Sequence, residues 1–162
     1  MTRSGAGLLA LIWVGGAAFA QDFSADDAAT PKSLAARLPS SPRAHDLFRW
    51  PLRGRILKNG DDGLDINAPV GESVHAAAEG TVTYAGEELA SYGKLILIRH
   101  ANDYVSAYAY NSELLVAVGA EVKRGQIIAK SGKTGAATSP RLHFELRKNG
   151  KPVDPTKYLA PM

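Results

Sequence analysis

From Phe48 to the C-terminus the chain is a succession of short β-rich runs cut by Gly, Asn and Pro, which leaves room for helix only in short pieces. The runs that read as strands are Gly54–Leu57, Gly80–Gly86, Lys94–His100, Tyr104–Tyr110, Gln126–Ser131 and Leu142–Lys148. Leu95-Ile96-Leu97-Ile98 is apolar throughout, the pattern of a strand covered on both faces. Asn149-Gly150 lies between Phe144–Lys148 and Lys151-Pro152-Val153, a type I′ hairpin signal. Gly119 and Gly125 flank a short Glu-Val-Lys strand, where each can take a positive φ. The expected class is all-β, antiparallel.

At 162 residues the chain is long enough for one domain and short for two. Arg3, the apolar run Gly7 to Ala18, and Ala18-Phe19-Ala20 form the three parts of a secretory signal peptide, with cleavage expected after Ala20. The apolar run is short for a bilayer span, so no membrane span is expected once the signal is removed. The chain holds no cysteine, which excludes disulfides and a lipid-modified cysteine and leaves the core to hold the fold unaided. Residues 21–47 are rich in Ala, Asp, Ser and Pro, with Pro31, Pro39 and Pro42 breaking any long helix, and read as a flexible linker. The expected organisation is a signal over 1–20, a linker over 21–47 and a domain over 48–162. Without Arg3 the chain carries 18 basic and 16 acidic residues, a net of +2, too small an excess to imply nucleic acid.

Two motifs carry the chemistry: Asp61-Asp62-Gly63-Leu64-Asp65 and Arg141-Leu142-His143-Phe144-Glu145. Together they are similar to the H-x-G-x-D and H-x-H patterns of the LytM, or lysostaphin-type, zinc endopeptidases. The resemblance runs from Phe48-Arg49-Trp50-Pro51 to Asp154-Pro155 and takes in Trp50–Gly54, Ala76–Gly80, Tyr92-Gly93, Tyr108-Ala109, Val118-Gly119 and Gly125-Gln126. It implies a twisted antiparallel sheet carrying a groove.

In that family the metal is held by the histidine and aspartate of the first motif and the second histidine of H-x-H. Those positions here are Asp61, Asp65 and His143. The family's base position is Arg141, a guanidinium that stays protonated and only donates. The position of a further family histidine is Tyr110, in Tyr108-Ala109-Tyr110. Three histidines of the family's set of four are thus replaced and His143 remains. Asp65 and His143 are residual ligand positions; no metal or other cofactor is expected, and no catalytic residue. Arg141 is expected to pair with Asp61 or Asp65. Of the other histidines, His75 and His100 sit in strand-like contexts and read as structural, and His45 falls in the linker. Asp65 has a plainer reading beside Gly63, as a turn residue.

Degenerate members of the family, of the NlpD and EnvC type, bind periplasmic N-acetylmuramoyl-L-alanine amidases and activate them during cell separation. The chain resembles these, so the resemblance implies a non-catalytic, periplasmic or otherwise exported factor acting on peptidoglycan through an amidase. The partner groove would be lined by Asp61, Asp65, Tyr92, Tyr110, Arg141 and His143, since Tyr and Arg are enriched at binding hot spots. Two alternatives stand beside it: an active zinc endopeptidase with an Asp/Asp/His site, and a peptidoglycan-binding module without activity.

Overall fold

The structure, a computed structural model, describes residues 47–162. The signal peptide, His45 and linker residues 21–46 lie outside the described residues. Among the described residues eleven strands follow one another: β1 (Ile56–Gly60), β2 (Gly63–Asn67), β3 (Ser73–His75), β4 (Gly80–Gly86), β5 (Lys94–Arg99), β6 (Tyr104–Asn111), β7 (Glu113–Leu114), β8 (Glu121–Val122), β9 (Ile127–Lys130), β10 (Arg141–Lys148) and β11 (Lys151–Val153). A single 3₁₀ turn, Pro155–Lys157, is the helical content among the described residues, its start capped by the Asp154 side chain. The all-β reading therefore holds. The expected single sheet is accompanied by a second: eight strands pair in the order β1-β2-β10-β6-β5-β4-β8 with β11 also on β10, and β3-β9-β7 form a smaller sheet, all ladders antiparallel.

The core lies between the two sheets. Leu64, Ile66, Val82, Ile96, Ile98, Leu142, Phe144 and Leu146 of the large sheet join Val74, Ile128 and Ala129 of the small one in a single buried cluster. Because side chains alternate along a strand, Leu142, Phe144 and Leu146 face this core and Arg141, His143, Glu145 and Arg147 face away from it. Strand β10 is central: β6 pairs along one edge, while β2 covers Arg141–Phe144 and β11 covers Leu146–Lys148 on the other. Residues presented from β10 thus stand on a strand paired along both edges.

A polar thread crosses the core. His100 Nδ1 lies 2.6 Å from the Glu79 carbonyl, His100 Nε2 lies 2.7 Å from Ser106 Oγ, Ser106 Oγ lies 3.0 Å from the Tyr108 hydroxyl, and the Ala77 N–H donates to that hydroxyl at 2.8 Å. The carbonyl only accepts, so Nδ1 carries the proton and Nε2 accepts from Ser106; Tyr108 then donates to Ser106. Burial lowers the His100 pKa against the hydrogen bond to Glu79, keeping it neutral, and pushes the Tyr108 hydroxyl up to about 12. Every group on this thread is satisfied, and His100 is structural.

Strand β2 escaped the strand reading, because Gly, Asp and Asn dominate its polar face. The alternation of Leu64 and Ile66 in the core with Asp65 facing outward decides it. Strand β1 starts later than expected and runs on to Gly60, so Asp61 and Asp62 become the two-residue turn of the β1–β2 hairpin, between paired Gly60 and Gly63. At the hairpin after β10, Asn149 and Gly150 take φ of 50° and 74°, as a type I′ turn requires. Gly119 and Gly125 take φ of 88° and 84°.

Candidate functional site

The outward row of β10 meets the outward residue of β2. Asp65 stands directly opposite His143 in the β2–β10 register. Gly63 makes this possible: its φ is 122°, and a Cβ there would sit 2.7 Å from His143 Cε1. A side chain at 63 would evict the imidazole from its place.

Both ring nitrogens of His143 meet carboxylates. Nδ1 lies 2.6 Å from Asp65 Oδ1 and Nε2 lies 3.1 Å from Glu145 Oε1. Ionised carboxylates only accept hydrogen bonds, so both nitrogens must donate, and His143 is an imidazolium. Burial works against that charge, but the hydrogen bonds to Glu145 and Asp65 outweigh it and raise the His143 pKa. Burial likewise pushes the Glu145 carboxyl up, yet donors from His143, Arg147 and Tyr92 hold it down at about 2. Tyr92 donates to Glu145 Oε1 at 3.0 Å, and Arg147 donates to Oε2 through Nη2 at 3.0 Å and Nε at 3.3 Å. Burial, then the bond to Glu145, raises the Tyr92 pKa, so this hydroxyl keeps its proton.

Arg141 closes the other end. Its Nη1 donates to Asp65 Oδ2 at 3.1 Å, Nη2 to Thr138 Oγ1 and Ser139 Oγ at 2.8 Å each, and Nε to the Ser139 carbonyl at 3.3 Å. The five side chains Arg141, Asp65, His143, Glu145 and Arg147 therefore alternate in charge along one chain of contacts. Each charge taken from water is met by an opposite charge with hydrogen-bond geometry, the condition under which a buried network survives its desolvation cost.

This donor set does not fit a zinc ion. Two ligands on a tetrahedral zinc, each bonded at about 2.0–2.1 Å, stand roughly 3.3 Å apart. Asp65 Oδ1 and His143 Nδ1 are 2.6 Å apart, a separation bridged by a proton. A ligating histidine must also offer a bare nitrogen, and both nitrogens of His143 are committed as donors. Arg141 adds a fixed positive charge on the second oxygen of Asp65. Nor does the cluster hold a general base: its imidazole is protonated, its guanidinium groups only donate, and both carboxylates are tied to cations.

The tyrosines come from neighbouring elements. Tyr110, next to last in β6, has φ of 66°, and its ring centroid lies 5.4 Å from that of His143. Tyr92 belongs to the loop between β4 and β5, with its ring 6.2 Å from His143. That loop is seated by two glycines: Gly93 and Gly135 have φ of 60° and 64°, and a Cβ on either would lie 2.5 Å from the other's backbone nitrogen. The result is an open groove of about 390 Å³ bounded by Lys58, Asp62, Tyr92, Tyr110, His143 and Glu145.

The structure thus brings together Asp65, Tyr92, Tyr110, Arg141 and His143. Arg141 pairs with Asp65 rather than Asp61, and its guanidinium turns toward Thr138 and Ser139 instead of lining the groove. Asp61 is not brought in: it is exposed at the hairpin tip, where the neighbouring Asp62 pairs with Lys58. Asp65 holds no turn; its carboxylate is spent on His143 and Arg141. Glu145 and Arg147 were missed as site residues, although their period-two spacing from Arg141 and His143 was visible in the sequence. Among the described residues no cluster of three or more His, Cys, Asp or Glu side chains is arranged to hold a metal, and no helix is long and apolar enough to cross a membrane.

A model of the family described as Peptidase family M23 matches residues 59–155. The lipoprotein YgeR of Escherichia coli K12 is 41% identical over 138 residues, covering 82% of this chain and 55% of that protein. The murein hydrolase activator NlpD of the same organism is 47% identical over 118 residues, covering 69% of this chain and 31% of NlpD. This chain therefore spans about half of the first relative and a third of the second. Among solved structures, a zinc-containing peptidase from Vibrio cholerae superposes with a TM-score of 0.66 at 29% identity, covering 71% of this chain and 41% of that one.

Proposed function

This chain belongs to peptidase family M23, and on that premise we propose that it is a non-catalytic factor of the cell envelope that binds and activates a peptidoglycan amidase. The observation that carries the reading is the charge-alternating row Arg141–Asp65–His143–Glu145–Arg147, which satisfies the residual ligand positions without a metal and leaves no base to activate water. A relative named as a murein hydrolase activator supports it, at 47% identity over 118 residues, and the family match over residues 59–155 contains this row. Relatives named as lipoproteins support an envelope location, consistent with the signal expected over residues 1–20.

In this reading the groove beside Tyr92, Tyr110 and His143 holds a segment of the amidase. Activation follows if the domain binds the amidase's open conformation more tightly than its closed one, since a ligand shifts an equilibrium only by its differential affinity. The alternating row fixes the groove's shape, so little side-chain ordering remains to be done on binding.

The test is release of labelled fragments from purified sacculi by the exported protein, by a periplasmic N-acetylmuramoyl-L-alanine amidase, and by both. Expected is no release by the protein alone and a rate with both at least roughly tenfold above that of the amidase alone, equivalent to about 1.4 kcal/mol of coupling. Chelator-sensitive release by the protein alone makes it an endopeptidase. Sedimentation with sacculi and no effect on the amidase makes it a wall-binding module.

A further inference from the structure

The outward face of the large sheet carries a second chamber beside the polar groove. Leu89, Tyr92, Leu95, Leu97, Val105 and Ala107 line a space of about 350 Å³. Its origin is a size mismatch on the sheet. Ala107 of β6 lies between Glu145 of β10 on one side and Leu97 of β5 on the other, so a single methyl group stands between long neighbours and the centre of the face sinks to a trough. Leu95, Ala107 and Ala109, with Tyr84, Tyr92, Leu97 and Tyr110 against them, form an apolar cluster separate from the main core. Leu89 stands on the rim, 48% exposed.

The two chambers share one wall. Tyr92, Glu145 and Arg147 border both, and they are locked to each other by the Tyr92–Glu145 and Arg147–Glu145 hydrogen bonds. The Arg147 side chain is 45% exposed, and Nη1 joins no hydrogen bond among the described residues. An apolar pocket with an available guanidinium donor at its lip has the chemistry of a specificity pocket: burial supplies affinity and the charged donor fixes orientation.

We infer that this trough is the specificity pocket of the partner surface, taking one or two large apolar side chains of an amidase segment whose neighbouring acidic side chain or carbonyl reaches Arg147. The inference rests on the proposed amidase reading and deepens it. The occupant is a protein segment because the chamber is apolar yet lies directly beside a groove walled by charged and aromatic side chains, across the shared wall of Tyr92, Glu145 and Arg147. An amphipathic segment satisfies both at once, with apolar and polar side chains adjacent on one face. A glycan strand offers no large apolar group for the trough.

Ala107→Leu tests it. The added atoms have room to point into the chamber, so the fold tolerates them while the pocket fills. With the full exported protein and purified amidase, Ala107→Leu is expected to weaken binding roughly tenfold or more and to remove activation in proportion, with the melting temperature unchanged. Should Ala107→Leu fail to fold, Leu89→Ser at the exposed rim substitutes for it, with weakening of several-fold expected. Val70→Ser, an exposed apolar residue elsewhere, is expected to leave binding unchanged.

Wild-type protein that activates the amidase, together with Ala107→Leu and Leu89→Ser variants that do so equally, overturns the pocket and leaves the amidase reading intact. Wild-type protein that neither binds nor activates the amidase overturns both. Self-association in the ultracentrifuge that Ala107→Leu abolishes assigns the trough to a second copy. Amidase affinity that rises on deletion of residues 21–46 but not on filling the trough assigns it to the chain's own linker. Either result overturns the inference.

Discussion

Replacing Glu145 with alanine is expected to lower the unfolding free energy by about 3 kcal/mol, the range for breaking a buried charge pair by removing one partner. Glu145 is 6% exposed and receives hydrogen bonds from His143, Tyr92 and Arg147. Alanine strands an imidazolium with half its partners and a tyrosine hydroxyl with none. For a domain of this size the melting temperature should fall by roughly 10–15 °C. Glu145→Gln keeps the shape and an accepting oxygen but not the charge, and about half the loss is expected. Asp62→Ala, which removes the exposed pair with Lys58, serves as the contrast: exposed pairs contribute little, so its melt should overlay the wild type. A Glu145→Ala melt that also overlays the wild type would show that the row of charges does not hold the site.

Stability should also fall on both sides of a mildly acidic plateau. The Glu145 carboxyl is held at about 2 against an ordinary 4.5. A group depressed in the folded state contributes stability that is complete above its ordinary value and is lost as pH falls from there toward the folded one. That shift corresponds to up to about 3 kcal/mol, lost between roughly pH 4.5 and 2. His143 has the opposite sign: its pKa is raised above 6.5, so its contribution is complete below pH 6.5 and is lost as pH rises through the raised value. Denaturant titrations from pH 2.5 to 9 should therefore give a maximum between about pH 4.5 and 6.5. Glu145→Gln should lose its share of the acid limb and flatten part of the alkaline one, because the Glu145 carboxylate is the larger of the two hydrogen-bond partners that raise His143. Acid limbs of equal steepness in the two proteins would remove Glu145 as their source.

The sequence carried the framework of the fold where punctuation and packing agreed. Gly80 and Gly86 bracket β4 to the residue, and the apolar run Leu95–Ile98 is β5 with three of its four side chains buried. Asn149-Gly150 fixed the last hairpin. Strand β2 was obscured because Gly63, Asp65 and Asn67 have turn chemistry; its strand state comes from pairing on both edges, a tertiary effect. The same error hid the fate of Asp61, since a β1 that ends at Leu57 gives no hint that residue 61 is a hairpin tip. The pairing of Arg141 with Asp65 was legible from charge alone, whereas the choice of Asp65 over Asp61 needed the register. Glu145 lies outside the histidine pattern of the motif, and only alternation along β10 places it on the face of Arg141 and His143.

The row also bears on why such a site persists. Buried ion pairs seldom stabilise a fold more than apolar residues of the same volume would, so their use lies in fixing one arrangement. Here that arrangement is the shared wall between a polar groove and an apolar trough. Without its two arginines the row would leave two carboxylates, Asp65 and Glu145, sharing the single positive charge of His143. Arg141 and Arg147 at the two ends of the row remove that conflict.

The protonation state of His143 is the most direct measure of this arrangement, and nitrogen-15 NMR of the imidazole ring at pH 6, with zinc added to one equivalent, reads it. Expected are two ring nitrogens with the shifts of protonated, hydrogen-bonded imidazolium, unchanged by zinc. A neutral ring with one bare nitrogen whose signal moves on addition of stoichiometric zinc would contradict it and return the site to metal chemistry.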